Sequence, residues 1–110
     1  MAIHHASSGE VIDIRPLERH LNSTITKALY RSDRLEVFRM ILLAGDEMPQ
    51  HRVIGEITVQ CLEGQVAFTF DQTTRAPFEG DLVCLAGGVD HSLKAVDDSS
   101  VLVTILLHGA

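Results

Sequence analysis

The sequence predicts an all-β domain, a barrel or double-sheet sandwich, with at most one short helix near the N-terminus. Three observations carry this. Apolar runs of strand length recur along the chain, about eight to ten of them. Turn-forming residues separate them: Ala44-Gly45-Asp46-Glu47-Met48-Pro49, Glu63-Gly64, Asp71 to Thr74, Glu79-Gly80-Asp81, Ala86-Gly87-Gly88-Val89-Asp90 and Asp97 to Ser100. Helical spacing is confined to Leu17, Leu21, Ile25 and Leu29, where Asn22, Ser23, Thr24 and Thr26 interrupt it. With 110 residues there is room for one core. Residues 1–9 are expected to form a flexible N-terminus and residues 10–110 a single barrel domain.

The elements follow in order. Glu10 to Ile14 alternates and reads as a short strand. Pro16 suits a first helical position, so Pro16 to Leu21 reads as one or two helical turns. Ile25 to Tyr30 is the next strand. Leu35 to Leu43 is a strand with apolar residues on both parities, so both of its faces are covered. A long extended stretch runs from His51 to Leu62, with a bulge or bend at Gly55. Gln65 to Phe70 alternates, with Val66, Phe68 and Phe70 against Ala67 and Thr69. Leu82 to Leu85, His91 to Val96 and Val101 to Leu107 complete the strands.

Composition excludes several function classes. The net charge is −6. Before Glu56 seven basic residues offset seven acids; from Glu56 onward only Arg75 and Lys94 face eight acids. An acidic chain without a basic stripe, lacking Trp, argues against nucleic acid and against an anionic membrane surface. No apolar run approaches the roughly 20 residues that a spanning helix needs. Met1 to Gly9 lacks the basic and apolar regions of a secretory signal. Cys61 and Cys84 each lie in an apolar stretch with no CxxC neighbour, so they read as free thiols in a reducing cytoplasm.

His51 and His91 both open a predicted strand directly after a Gly-containing loop, where a rigid scaffold carries ligand groups. Two segments around them carry a resemblance. Gly45, His51 and Gly64 keep the spacing of a motif written G-x5-H-x-H-x3/4-E-x6-G. Gly80, Gly88 and His91 keep that of G-x5-P-x-G-x2-H-x3-N. Together the two segments resemble the paired motifs of the cupin superfamily, in the form of a small single-domain RmlC-like cupin. The resemblance implies a cupin double-stranded β-helix, a jelly-roll barrel.

In that family the two His and the Glu of the first motif, with the His of the second, usually hold one divalent metal. Residues two apart in a strand point the same way, so H-x-H aims two imidazoles at one point. This chain departs from the set. Val53 stands at the second His position and Ile57 at the Glu position, while Ala86 and Ala95 replace the Pro and Asn. Only His51 and His91 remain. If a divalent metal (Ni, Fe, Mn or Zn) binds, Glu56 or Gln50 is the expected third ligand, with Cys61 and His108 as further candidates for turning inward. A two-imidazole set in an apolar setting is a poor metal site, so no cofactor is expected.

The first functional reading is therefore a binding protein for a small carboxylate- or carbonyl-containing molecule. Its pocket is expected from His51, Val53, Ile57, Val59, Cys61 and His91. A second reading is a metal-dependent cupin enzyme of dioxygenase or isomerase type, or a metal-free acid–base pair, using His51 and His91. A third is a non-catalytic structural barrel that pairs as a homodimer, as small cupins do, through Leu35 to Leu43 and Val101 to Leu107.

Overall fold

A computed structural model describes residues 5–107. A 3-10 helix (Glu18–Ser23) precedes nine strands: β1 (Lys27–Arg31), β2 (Leu35–Leu42), β3 (Glu47–His51), β4 (Ile57–Glu63), β5 (Val66–Phe70), β6 (Thr73–Arg75), β7 (Leu82–Leu85), β8 (His91–Ala95) and β9 (Ser99–Leu106). They form two antiparallel sheets, one ordered β1-β2-β9-β4-β7 and the other β3-β8-β5-β6. The arrangement is the expected jelly-roll. Alternation sets the core: Ile57 and Val59 of β4, Val101 and Val103 of β9, Val66 and Phe68 of β5, and Leu93 and Ala95 of β8 are buried in one cluster between the sheets.

The expected strand at Glu10 to Ile14 does not form. Its alternation has nothing to bury against: Val11 is exposed, and the carboxylates of Glu10 and Asp13 accept from the nearby Ser7 and Arg15 amides. The chain is nevertheless tied down before it, since the Ala6 amide donates to the Leu29 carbonyl. The long stretch expected from His51 to Leu62 divides in two. Residues 52–56 leave the ladder, and β4 starts at Ile57. Gly55 is the reason for the break. A Cβ there would collide with the Leu106 carbonyl, and one at Gly87 would collide with the Ile54 carbonyl. The two glycine segments interlock, with the Gly88 amide donating to Val53 and the Leu106 amide to Glu56.

Three strands begin inside expected loops or turns. β3 starts at Glu47 despite Pro49, because it is an edge strand and Pro49 falls in the irregular step between the Met48↔Leu93 and His51↔His91 pairs. β6 follows a tight two-residue turn, Asp71-Gln72, with both φ angles positive (47° and 61°). β9 opens with Ser99 and Ser100. Both hydroxyls are fully buried and bonded, Ser99 to the Gln65 and Asp97 carbonyls and Ser100 to the Glu63 carboxylate.

The second covered face of β2 is polar at its centre. Arg39, only 6% exposed, donates to the Ser100 hydroxyl and to the Arg15 carbonyl, and lies 3.5 Å from Glu63 Oε1. Glu63 in turn accepts from the Leu17 and Glu18 amides at 2.7 and 3.0 Å. Burial pulls the Arg39 guanidinium downward from its ordinary value, with Glu63 and Asp13 opposing that shift. This pair pins the segment before the 3-10 helix to the outside of the larger sheet.

Candidate functional site

β3 and β8 pair at the barrel end, which sets His51 directly opposite His91. Their ring centroids lie 4.4 Å apart with the planes tilted by 58°. Each ring is fixed from behind by a carbonyl two residues upstream. His51 Nδ1 is 3.2 Å from the Pro49 oxygen, and His91 Nδ1 is 2.9 Å from the Val89 oxygen. A carbonyl only accepts, so each Nδ1 carries the proton and Nε2 is the ring atom left for a ligand. Phe68 meets the His91 ring edge-on at 5.7 Å. His91 is buried, whereas His51 is exposed at the rim.

The two rings line a cavity between the sheets, together with Val53, Ile57 and Val59. The expected pocket residue Cys61 does not line it. Its parity is right, but it sits at the far end of β4, where its thiol donates to the Glu63 and Gly64 carbonyls. Burial pushes that thiol up to about 11. The cavity is small, about 20 Å³, which holds one water. Phe38 and Met40 from β2, Met48 from β3, Leu93 from β8 and Val103 and Ile105 from β9 close it. The alternation of β2 already marked Phe38 and Met40 as one face. Met48 left no such signal, because Pro49 made its strand read as a loop.

A larger polar space of about 390 Å³ lies outside, and His91 forms part of its wall too. Gln50, Asp71, Gln72, Asp90, Thr69 and Ser92 supply its polar groups, with Phe70 beside them. His91 thus stands between the apolar interior cavity and a polar vestibule outside. Asp90 is held by Arg52 at 2.9 Å and by the Gln50 amide at 3.2 Å.

The fold is shared with known structures. A conserved protein of unknown function from Streptococcus pyogenes superposes with a TM-score of 0.77 at 24% identity, over 100% of this chain and 97% of that one. A cupin superfamily protein from Desulfitobacterium hafniense gives 0.74 at 19% identity, over 76% and 77% of the two chains. An RmlC-like cupin family protein with a double-stranded β-helix fold from Methanocaldococcus jannaschii gives 0.73 at 17%, over 91% and 94%. The chain has the cupin fold. No protein-family model and no curated protein matches its sequence. Among the described residues, no helix is long and apolar enough to cross a membrane.

The cupin fold raises the question of a divalent metal, and the residues present do not fit one. Two imidazoles reach the cavity, while Val53 and Ile57 fill the corners where the resemblance expects His and Glu. Neither expected third ligand supplies the deficit. Gln50 bonds outward to Asp90, and Glu56 is exposed. Cys61 is directed elsewhere, and His108 lies outside the described residues. Among the described residues no three His, Cys, Asp or Glu side chains gather. A dication held by two neutral donors amid aliphatic walls would be left undercoordinated and poorly neutralised.

Proposed function

We propose that this cupin binds a small molecule through a carbonyl or carboxylate oxygen, using His51 and His91, with no resident divalent metal. The observation that carries the reading is the paired imidazoles, 4.4 Å apart and each tied at Nδ1 to a backbone carbonyl. The cavity has room for an oxygen-sized group, not for a whole ligand. The ligand oxygen therefore seats against the two rings, reached past the exposed His51, and the rest of the molecule stays outside the cavity. With Nδ1–H engaged, a protonated ring donates from Nε2 to the ligand oxygen, and a neutral ring accepts from a ligand hydroxyl. The pair thus suits a molecule that presents a carbonyl or carboxylate oxygen, with or without a neighbouring hydroxyl.

Dihydroxyacetone and pyruvate are suitable probes, one neutral and one anionic. Titration of the purified chain, followed by calorimetry and by the imidazole resonances, is expected to show saturable binding of at least one of them. His51→Ala and His91→Ala should each remove that binding while the chain stays folded. Binding that survives both substitutions would overturn the reading.

A further inference from the structure

The outer face of the larger sheet borders a second space, away from the paired imidazoles. A cleft of about 340 Å³ lies between that face and the N-terminal segment, a size that takes a small organic molecule. Two cations stand on its floor. Lys27 of β1 and Arg39 of β2 are directly opposite in the antiparallel register, and both line the cleft. Like charges so placed repel unless a negative group lies between them. Arg39 is only 6% exposed, and its Nε and Nη2 atoms donate to Ser100 and to the Arg15 carbonyl. Nη1 donates to none of the described residues. It is not sealed from solvent, because no fully buried side-chain nitrogen or oxygen among the described residues lacks a partner. Lys27 forms no ion pair among the described residues. From these two unspent donors we infer a second binding site, for a small monocarboxylate with an aliphatic body, held at its carboxylate by Arg39 Nη1 and the Lys27 ammonium.

The walls specify the rest of the ligand. Ile12 and Leu17 from the N-terminal segment face Ile25 and Leu29 across the cleft and give it aliphatic sides. Ile25 is 77% exposed, apolar surface that a hydrocarbon chain would cover. Burial disfavours the Arg39 charge, so a carboxylate arriving at Nη1 meets a cation that has already lost water. Glu63 does not fill this role. It approaches the guanidinium at Nη2, and its oxygens also accept from the Leu17 and Glu18 amides and the Ser100 hydroxyl. Two carboxylates, Glu10 and Asp13, also border the cleft. Both are exposed and screened by solvent, yet their charge weighs against a phosphate or a dicarboxylate, so the site takes one negative charge. The cleft is built before any ligand arrives. The Ala6 amide ties the segment to the Leu29 carbonyl, and Glu63 ties it at Leu17 and Glu18. The site shares no lining residue with the His51–His91 cavity and does not depend on the reading given for that pair.

Hexanoate is the probe, with 1-hexanol as its uncharged counterpart, and NMR of the full chain is the readout. Hexanoate is expected to bind saturably and to shift the Arg39 guanidinium resonances together with the Ile12 and Leu29 methyls. Lys27→Glu, a change at an exposed position, should weaken that binding about fivefold or more. The chain carrying His51→Ala with His91→Ala should still show the Arg39 shift at the same affinity, which separates this site from the imidazole pair. Equal binding by 1-hexanol would mean an apolar crevice without an anion seat and would overturn the inference. So would unchanged hexanoate affinity in the Lys27→Glu chain, or an Arg39 guanidinium that stays still throughout the titration. If hexanoate moves only the His51 and His91 resonances, this inference falls and the imidazole reading stands. If dihydroxyacetone and pyruvate fail while hexanoate still moves Arg39, only the imidazole reading falls.

Discussion

Arg39 lies in a strand whose other outward residues, Leu35, Val37 and Ile41, are apolar, and its side chain is only 7% exposed. Sequence alternation showed that this face is covered, but not that a charge is covered with it. The partners explain why: Glu63, Ser100 and the Arg15 carbonyl come from segments 24 to 61 residues away from Arg39, and no local pattern encodes them. Removing one member of a buried pair strands the other, at a cost of about 3–5 kcal/mol. Arg39→Ala is expected to lose that much in urea unfolding; a loss below about 1 kcal/mol would show that the pair is effectively solvated. The two cysteines contrast. Cys61 is fully buried and Cys84 exposed. A thiol-reactive dye should therefore label one thiol per native chain and two after unfolding. Burial also holds the Cys61 proton on, up to about 11. A raised folded value means stability is fully present below the ordinary thiol value and lost as pH climbs through that window, by about 2–3 kcal/mol. Cys61→Ala should flatten this alkaline loss; an unchanged profile would assign it to other groups.

At the level of elements, the strands bounded by clear turn signals were legible: β2, β5, β7, β8 and β9 stand close to where the sequence predicts them. The elements that departed are those whose pattern depends on a partner. β3 exists because β8 offers it an edge, and the serines opening β9 are satisfied by the Gln65 and Asp97 carbonyls and the Glu63 carboxylate. The β5–β6 turn places two non-glycine residues, Asp71 and Gln72, in the left-handed region. That conformation favours Asn-Gly at the two central positions. Asp71→Asn with Gln72→Gly should stabilise the chain by about 1 kcal/mol, a rise in Tm of about 4–8 °C for a domain of this size. A drop in Tm would mean that the Asp71 and Gln72 side chains contribute more than the backbone strain costs.

For the whole molecule, the spaced glycines and histidines made the cupin fold and the position of the paired imidazoles legible before any coordinates. The closure of the cavity was not. Phe38, Met40, Met48, Val103 and Ile105 come from three strands that only the jelly-roll crossing brings together. The missing metal corners are a property of two side chains on an intact frame, since Val53 and Ile57 line the same cavity as the imidazoles. Val53→His with Ile57→Glu should restore a three-nitrogen, one-carboxylate set, so that Ni(II) or Zn(II) binds stoichiometrically and raises Tm. A folded variant with no gain in affinity would show that the first motif is misaligned. The central claim is that His51 and His91 act as one unit, each with its Nδ1 proton committed to the backbone and Nε2 left for a ligand. Long-range proton–nitrogen NMR of the two rings tests it most directly. Both should show a protonated Nδ1 and an unprotonated Nε2 in the free chain at alkaline pH, and both Nε2 signals should move together on adding dihydroxyacetone or pyruvate. Rings protonated at Nε2 instead, or one ring responding while the other stays still, would contradict the account.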